Sequence, residues 1–476
     1  MKLTILEEPP LEFSGGTRHI DPRHGIADYG PADATSTAVR TIRVGIVGSA
    51  ASIHGLRRWL DRCGQPIAAK ESRLGRLFMP FPGFDPNTGF HSTLVWDSRL
   101  ERPLRGRDLK QLTELNPQDA VKAAVDLYIA ELEVLHEEPS CDVVLIARPD
   151  ELPERPASGI DPEKPWKKAP PAEHVDDFRA VLKAMAMRYN TPIQIIRRST
   201  WDPSFKPPGG EKPRLQDEAT RAWNLHTALY YKAGGVPWRL PRADTDLRSC
   251  YVGVTFYRNG DDTMLETSVA QVFNQRGDGV IVRGAAAKVS HRDRQPHLTR
   301  PDAYALLTDA LERYRKEHHH VPARVVLHKT SSYTPDETAG FRAAADEARV
   351  DAVELLWLPA NDPVRLFRSA KHPPLRGTLL SVDAHRHVLY TRGSVPFYGT
   401  YPGMYIPSPL SFRLVEAESS PEHLAEELLA LTKMNWNQTQ LDGRQPITIR
   451  TADRVGEILR HLGPQERPQG RYAFYM

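Results

Sequence analysis

Cysteine is scarce in this sequence of 476 residues, which contains only Cys63, Cys141 and Cys250. The three are scattered without metal-ligand spacing, and such usage suits the reducing cytosol, so we expect a cytoplasmic protein. No run of about 18 or more apolar residues occurs, so we expect no membrane span. The amino-terminal residues lack a basic stretch followed by an apolar one, and we therefore expect no secretory signal.

A strong excess of charge is also missing. Lys and Arg number 63 against 60 Asp and Glu, which leaves a net charge of +3. Any nucleic-acid surface must therefore come from local clustering of basic residues. The length is sufficient for two or three domains with cores of their own. Proline is abundant, with 41 residues, and predicts many irregular connections.

The first half of the chain alternates strands and helices, which predicts a parallel, Rossmann-like sheet. A pair of glycines, Gly45 and Gly48, ends the first strand and could indicate a phosphate loop. The stretch has neither the GxGxxG pattern nor a Lys-Ser/Thr ending, so a plain turn from strand to helix is favoured. Strands are predicted at 41–48, 142–147 and 192–197, and helices at 52–62, 116–136, 175–189 and 218–232.

A boundary follows at Gly234 and Gly235, which stop the preceding helix, while Pro237 and Pro241 discourage another. The predicted domains are a loosely packed lead-in at 1–40, a Rossmann-like domain at 41–240 and a second domain at 241–476.

The second domain reads as a mixed sheet with helices on it, which suits a ribonuclease H-like fold. A strand led by Pro446 is predicted shortly before the last helix. The remaining predicted strands are 249–258, a hairpin into 279–283, 323–328, 352–358, 377–382 and 387–391, and the helices are 302–316, 334–348, 421–431 and 453–462.

Three basic residues and an amide form a candidate phosphate site. Arg179 and Lys183 share one helix face, Gln194 is on the next strand, and Lys232 is in the last turn before the glycine pair. A terminal phosphate is well bound by the planar fork of arginine N–H donors, the point charges of lysines and the neutral donor of a glutamine amide. The alternative is that the first two are solvated helix charges and Lys232 merely complements a helix carboxyl terminus.

A second candidate surface lies in the stretch 432–459, where amides and basic residues follow closely. Asn435, Asn437 and Arg450 are suited to contact a sugar-phosphate backbone without reading sequence. Trp436 could stack on a base or be half-buried core, and the sequence leaves both possibilities open.

Several motifs together resemble short prokaryotic Argonautes, which consist of MID and PIWI domains only. The resemblance implies a Rossmann-like MID domain at 41–240 and a ribonuclease H-like PIWI domain at 241–476, with no room ahead of Thr41 for the N and PAZ domains of long Argonautes. The motifs that carry it are YKAGGVPWRL, YVGVTFY, VVLHKTSSYTP, FYGTYPGMYIPSPLSF and TKMNWNQTQLDGRQPITIRTADRVGEIL.

The resemblance also implies roles for individual residues. In that family the positions matching Arg179, Lys183, Gln194 and Lys232 grip the 5′ phosphate of the guide strand. The family's terminal carboxylate can help to hold a divalent ion on that phosphate, so Met476 becomes a candidate ligand of Mg²⁺, without a catalytic role.

The positions of a nuclease site carry few acids. A ribonuclease H-like nuclease holds two Mg²⁺ ions about 4 Å apart with three or four carboxylates. Thr255 stands where the first acid belongs, Thr330 where the second belongs, and Asp453 alone falls where the fourth usually lies. One carboxylate cannot offset the dehydration of two magnesium ions, so we expect no cleavage by this chain.

The rival hypothesis is an active PIWI-type endonuclease with an unorthodox metal site. Its acids would be Asp261, Asp262 and Glu266, which follow the first strand of the second domain. They belong to an Asn-Gly turn signal, so a solvated hairpin is favoured.

The resemblance implies a guide-binding subunit of prokaryotic immunity. Such a subunit loads a small guide RNA, recognises complementary invading DNA and activates a separate APAZ-domain effector, with base pairing supplying the specificity. A sirtuin-like effector is our first expectation, with a TIR domain or a nuclease as alternatives. A third hypothesis, a metabolite-binding protein that uses Gly45 and Gly48, leaves the carboxyl-terminal motif unexplained.

Overall fold

The computed structural model describes residues 1–35, 38–137, 141–152, 177–207, 215–241, 248–258, 265–273, 279–360, 362–403, 406–441, 443–463, 466 and 468–476, without the side chains of 266–273 and 279. The described strands are β1 (Lys2–Ile5), β2 (Leu11–Glu12), β3 (Arg18–His19), β4 (Thr41–Ser49), β5 (Thr93–Val95), β6 (Glu101–Leu104), β7 (Val143–Ala147), β8 (Ile193–Ile196), β9 (Ser249–Arg258), β10 (Leu265–Phe273), β11 (Gly279–Ala286), β12 (Lys288–Val289), β13 (Pro296–His297), β14 (Arg324–Lys329), β15 (Ala352–Trp357), β16 (Thr378–Ser381), β17 (Arg386–Leu389) and β18 (Leu410–Glu416). The described α-helices are α1 (Pro22–Tyr29), α2 (Ala50–Cys63), α3 (Gly106–Gln111), α4 (Pro117–Glu137), α5 (Phe178–Ala186), α6 (Glu218–Lys232), α7 (Arg300–His318), α8 (Pro335–Glu347), α9 (Pro421–Leu431) and α10 (Ile447–Leu459).

The first half of the chain builds a parallel sheet around β4, which pairs with β5, β6 and β7, while β8 pairs with β7. Gly45 and Gly48 lie inside β4, where a Cβ on Gly48 would meet the Cβ of Ala147 at 2.7 Å. The two glycines therefore permit close packing within the sheet, and the observation behind the metabolite-binding hypothesis is lost. The predicted helix start at 175 lies outside the described residues.

The second half builds a nine-stranded mixed sheet in the order β1-β16-β17-β18-β15-β14-β9-β10-β11. Its edge strand β1 comes from the chain start and pairs antiparallel with β16. Leu6, Leu11 and Phe13 are buried, so the expectation of a loosely packed lead-in is wrong. The apolar residues of this segment find their partners in distant parts of the chain.

Two sequence expectations in the second half need correction. Residues 265–273 and 410–416 form β10 and β18, which we did not predict. The strand expected after Pro446 is absent, because Pro446 is the residue that precedes α10, a single helix from Ile447. Proline is tolerated there because the first helical N–H groups have no intrahelical partner.

Helix α10 joins the two halves. It packs on β9 and β10 of the large sheet and also touches α5 of the first half. The approach is close at Gly253 of β9, where a Cβ would lie 2.3 Å from the backbone oxygen of Thr448. One buried apolar cluster includes Val44 from the first sheet and Val326 from the second, so the halves share a core. Within the described residues, no helix is both long and apolar enough for a membrane crossing.

Candidate nucleic-acid interface

The predicted phosphate residues stand on two helices that end near each other. Asp177 caps α5 by accepting a hydrogen bond from the backbone N–H of Arg179. The helix buries its apolar face, and Lys183 lies one turn beyond Arg179. Helix α6 ends at Lys232, two residues before Gly234, whose φ of 96° is natural for glycine at a helix end.

The three cations converge on the backbone oxygens of residues 473–476. Arg179 Nη2 donates to the Tyr475 oxygen at 2.9 Å. Lys183 Nζ lies 3.4 Å from the Phe474 oxygen. Lys232 Nζ donates to the Ala473 oxygen at 2.8 Å and lies 3.3 Å from the Met476 oxygen. The structure therefore brings these three predicted residues together, and it adds acceptors that sequence reasoning missed.

No Asp or Glu side chain among the described residues forms an ion pair with Arg179, Lys183 or Lys232. The two lysine side chains are buried, with 2% and 1% of the residue surface exposed. Burial and, to a smaller extent, the charge of nearby Arg179 lower the pKa of Lys232 to about 7. Burial, together with Lys232 and Arg179, also holds the pKa of Lys183 well below its usual range. The site is thus a cluster of cations solvated by backbone oxygens, with no described Asp or Glu side chain paired to them.

Gln194 lies on β8, next to the Ile193 carbonyl that is 3.3 Å from Lys183 Nζ. Its Nε2 approaches the Ile195 oxygen at 3.4 Å, and its Oε1 is buried without a hydrogen-bond partner. The strand therefore carries an unsatisfied polar atom next to the cation site, although no described contact joins Gln194 to the three cations.

A series of arginines continues from this site along α10, and we call it the arginine strip. Burial, then Arg454, lowers the pKa of Arg179. Burial also lowers the pKa of Arg450, with contributions from Arg454 and Arg392. Burial lowers the pKa of Arg444, and the charges of Arg365 and Arg392 contribute. The members of the strip, which these mutual electrostatic effects connect, are Arg179, Arg454, Arg450, Arg392, Arg444 and Arg365.

The stretch 432–459 divides into core and surface. Trp436 is buried, stacks on Tyr231 with ring centroids 4.7 Å apart and donates to the Trp238 oxygen at 3.2 Å. The structure thus places this ring in the core. Asn435 is buried beside it, whereas Asn437 is exposed. Backbone contacts by Asn437 and the half-buried Arg450 stay a prediction, and the buried Asn435 does not reach the surface.

The three nuclease positions also meet, where β14 ends beside the neighbouring parallel strand β9. Lys329 of β14 pairs with Val254 of β9, so Thr330 and Thr255 follow side by side. Asp453 on α10 accepts hydrogen bonds from Thr255 and, at 3.4 Å, from Gln445 Nε2. Although part of this residue is exposed, the surrounding protein desolvates its carboxyl group and raises its pKa to about 6.

In the part of the chain that the structure describes, no three His, Cys, Asp or Glu side chains cluster closely enough to hold a metal ion. Asp261 and Asp262 lie outside the described residues, as does the side chain of Glu266. The Met476 oxygen lies 3.3 Å from Lys232 Nζ. A Mg²⁺ ion here would rely on oxygens of Met476 and of a bound phosphate for its ligands.

Three solved Argonaute structures resemble the whole chain. Clostridium butyricum Argonaute bound to a guide DNA and a target DNA aligns with a TM-score of 0.65 at 14% identity and covers 99% of this chain and 54% of its own. For Aa-Ago with externally bound siRNA the TM-score is 0.59 at 15% identity, covering 99% of this chain and 56% of its own. For A. aeolicus Argonaute the values are 0.60 and 13%, with 98% and 55% covered.

This chain therefore spans about half the length of the structures that it resembles. No protein-family model and no curated protein matches the sequence. The likeness to solved structures concerns the fold and confirms the predicted class. The chain has an Argonaute-like α/β fold, with a Rossmann-like MID half followed by a ribonuclease H-like PIWI half.

Proposed function

We propose that this chain binds a guide strand through its 5′ phosphate at Arg179, Lys183 and Lys232, with Gln194 beside them. The observation that carries the proposal is the buried cation site without an Asp or Glu ion-pair partner among the described residues. Desolvating each charge costs on the order of several kcal/mol when no counter-charge compensates it. A bound phosphate would supply the missing negative charge and strong acceptors.

The chemistry of the site favours a terminal phosphate over a neutral ligand. Arg179 offers a planar fork of donors, and the two lysines offer point charges. All three now donate to carbonyls of residues 473–476, which are weaker acceptors than a phosphate oxygen. A phosphate that enters would take over these donors or share them, and proton uptake by the lysines would accompany its binding.

The arginine strip would carry the rest of the strand. Arg450 and Arg454 on α10 continue directly from Arg179, and Arg392 and Arg444 follow. Contacts of this kind bind phosphates without reading base sequence, so pairing with the guide would supply specificity. One structural relative is described as bound to a guide DNA and a 19-mer target DNA.

The finer function rests on the motifs that resemble short Argonautes. We infer a small guide RNA, a complementary invading DNA as target, and an APAZ-domain effector as the protein partner in a heterodimer, with Mg²⁺ at the guide phosphate. Activation of the effector upon target pairing would serve prokaryotic immunity by abortive infection. The effector would be sirtuin-like, TIR-type or a nuclease.

We also infer that the chain does not cleave its target. Thr255 and Thr330 offer neutral hydroxyls, which are weak ligands for magnesium. The remaining acid, Asp453, has a pKa raised to about 6, so near pH 6 it is half protonated. Enzymatic activity would belong to the partner.

The test is recovery of nucleic acid from the purified protein. We expect strands with 5′ phosphates to co-purify with the wild type and to be lost from Lys183→Glu and Lys232→Glu. Lys122→Glu, at an exposed position of α4, is the matched control and should retain them. Because a buried charge reversal can unfold a protein, Lys183→Met provides a second, uncharged variant. Unchanged nucleic acid in folded Lys183 and Lys232 variants would overturn the assignment.

A further inference from the structure

Phe367 is an aromatic side chain that the fold leaves in solvent. It lies in the connection between β15 and β16, and 78% of its surface is exposed. A single exposed apolar residue is common in folded proteins, so the surroundings of this ring decide what it can bind. The candidate phosphate site and the cleavage positions do not use this residue.

Hydrogen bonds tie the residues on both sides of Phe367 to neighbouring parts of the fold. The N–H of Leu366 donates to the hydroxyl of buried Tyr390 at 2.7 Å. Arg365 Nη2 reaches Ser408 Oγ at 3.3 Å. On the other side, Arg368 Nε donates to the His372 oxygen at 2.9 Å. The ring thus projects from an anchored segment, and a ligand that binds it would not have to order the loop.

The surroundings of the ring are positively charged. Arg365 and Arg368 flank it in sequence, and Arg365 is a member of the arginine strip next to Arg444. No carboxylate of the described residues pairs with Arg365, Arg368 or Arg444. The nearby Asp362 is committed to Arg386, at 3.0 Å. The complementary ligand is therefore an anion that also offers a flat apolar face.

We propose that Phe367 is a stacking platform for a base of the nucleic-acid strand whose phosphates follow the arginine strip. Arginines that neutralise the backbone beside an aromatic ring that stacks a base are the general means of binding single strands without sequence preference. The alternative occupant is an acidic protein segment that packs on Phe367 and the exposed Ile406. The density of arginines around the ring favours the strand.

The inference rests on the proposed function, because it takes a nucleic acid as the ligand. The probes are 5′-phosphorylated and 5′-hydroxyl single-stranded RNA and DNA that carry a fluorescent purine analogue at successive positions. Stacking on Phe367 should quench the analogue at one position. Phe367→Ala should abolish that quenching and weaken binding by about tenfold or more, without changing the preference for the 5′ phosphate.

Two control variants sharpen the result. Phe367→Trp should keep both quenching and affinity because it retains a flat ring. Val289→Ala, which removes an exposed apolar side chain from β12, should change neither. Quenching and affinity that survive Phe367→Ala would overturn the inference while the phosphate preference still supports the proposed function.

Two other outcomes separate the hypotheses further. Loss of the protein partner from Phe367→Ala, with oligonucleotide binding intact, would assign the ring to protein docking and overturn the stacking role. A wild type that binds no oligonucleotide would overturn both the inference and the proposed function.

Discussion

The buried lysines of the described residues fall into two groups. Lys329 and Lys433, in the large sheet and near its edge, each face a buried or nearly buried glutamate, with Lys329 Nζ 2.9 Å from Glu337 and Lys433 Nζ 3.1 Å from Glu8. Lys183 and Lys232, at the junction of the halves, face backbone oxygens and no Asp or Glu side chain of the described residues. The first group resembles structural ion pairs, whose charges compensate each other inside the protein.

The difference between the two groups of lysines shows how a structural lysine can be told from a ligand-binding one. Burial lowers the pKa of all four lysines, so burial alone does not distinguish a structural lysine from a binding one. The distinguishing feature is the absence of an Asp or Glu partner among the described residues. Such a charge destabilises the free protein, and a ligand that brings the opposite charge removes that cost. The following predictions challenge this contrast, beginning with the largest effect.

Breaking the ion pair between Lys329 and Glu337 should strongly lower the free energy of unfolding. Lys329→Met would leave Glu337 buried and unpaired, so we expect a loss of about 3–5 kcal/mol in the free energy of unfolding. Lys183→Met leaves no buried Asp or Glu of the described residues without a partner and removes only long hydrogen bonds. Its effect on the free energy of unfolding should therefore stay below about 1–2 kcal/mol in either direction. Urea unfolding of the nucleic-acid-free proteins measures both. Equal losses for the two variants would remove the contrast.

Lys183 and Lys232, which have no glutamate partner among the described residues, should instead be important for binding. Lys183→Met and Lys232→Met should each weaken binding of a 5′-phosphorylated strand by about 10- to 100-fold, because each removes a charge-assisted hydrogen bond to the phosphate. Binding of the 5′-hydroxyl strand should change little. Fluorescence anisotropy measures both, with Lys122→Met as the control. A variant that weakens both strands equally would indicate a general structural defect.

The pH dependence should also separate binding from stability. Lys232 has a pKa of about 7 in the free protein against an ordinary 10.5. Above pH 7 it loses its proton while the phosphate stays dianionic, so the affinity advantage of the 5′ phosphate should fall from pH 7 to 9. In the same window the unfolded chain binds more protons, so stability of the free protein gains up to about 1.4 kcal/mol per pH unit from this group.

Lys232→Met should flatten both trends. The difference between phosphorylated and hydroxyl strands cancels titrations elsewhere, and thermal unfolding of wild type and variant isolates the contribution of Lys232 to stability. A phosphate preference that rises from pH 7 to 9 would contradict the assignment of this lysine.

The cleavage positions should give the smallest effect. With Thr255 and Thr330 in place of acids, we expect no Mg²⁺-dependent cleavage of a guide-paired target, and Asp453→Ala should leave the target equally intact. A labelled target strand on a denaturing gel is the readout, with the guide-free duplex as the control. Cleavage that disappears in Asp453→Ala would show that the acid belongs to a working metal site.

Much of the fold was predictable because its signals are local. Thr334 and Glu337 form the capping box that fixed the start of α8. The edge strand β1 was missed because its partner β16 lies far along the chain and no local pattern announces such a pairing. Likewise, the sequence neighbours of Trp436 do not indicate whether its ring is exposed or buried. The ring is buried because it stacks on Tyr231 of α6, which is distant in the sequence.

The site was predictable only in part. Spacing placed Arg179 and Lys183 on one helix face and Lys232 in the last turn of another helix, and the motif resemblance added the guide 5′ phosphate as their ligand. That the three cations converge depends on tertiary packing of α5, α6 and the carboxyl-terminal residues. Their acceptors at 473–476 are backbone oxygens, which carry no side-chain signal in the sequence. Phe367 had no such signal either, since exposure is decided by the fold.

The most direct measurement is the ratio of dissociation constants of the wild-type protein for one oligonucleotide with a 5′ phosphate and with a 5′ hydroxyl, at pH 7 and fixed salt. A buried cation site built for a terminal phosphate predicts at least about a tenfold preference for the phosphorylated strand. Equal affinity for the two strands, or binding of neither, would contradict the assignment of Arg179, Lys183 and Lys232.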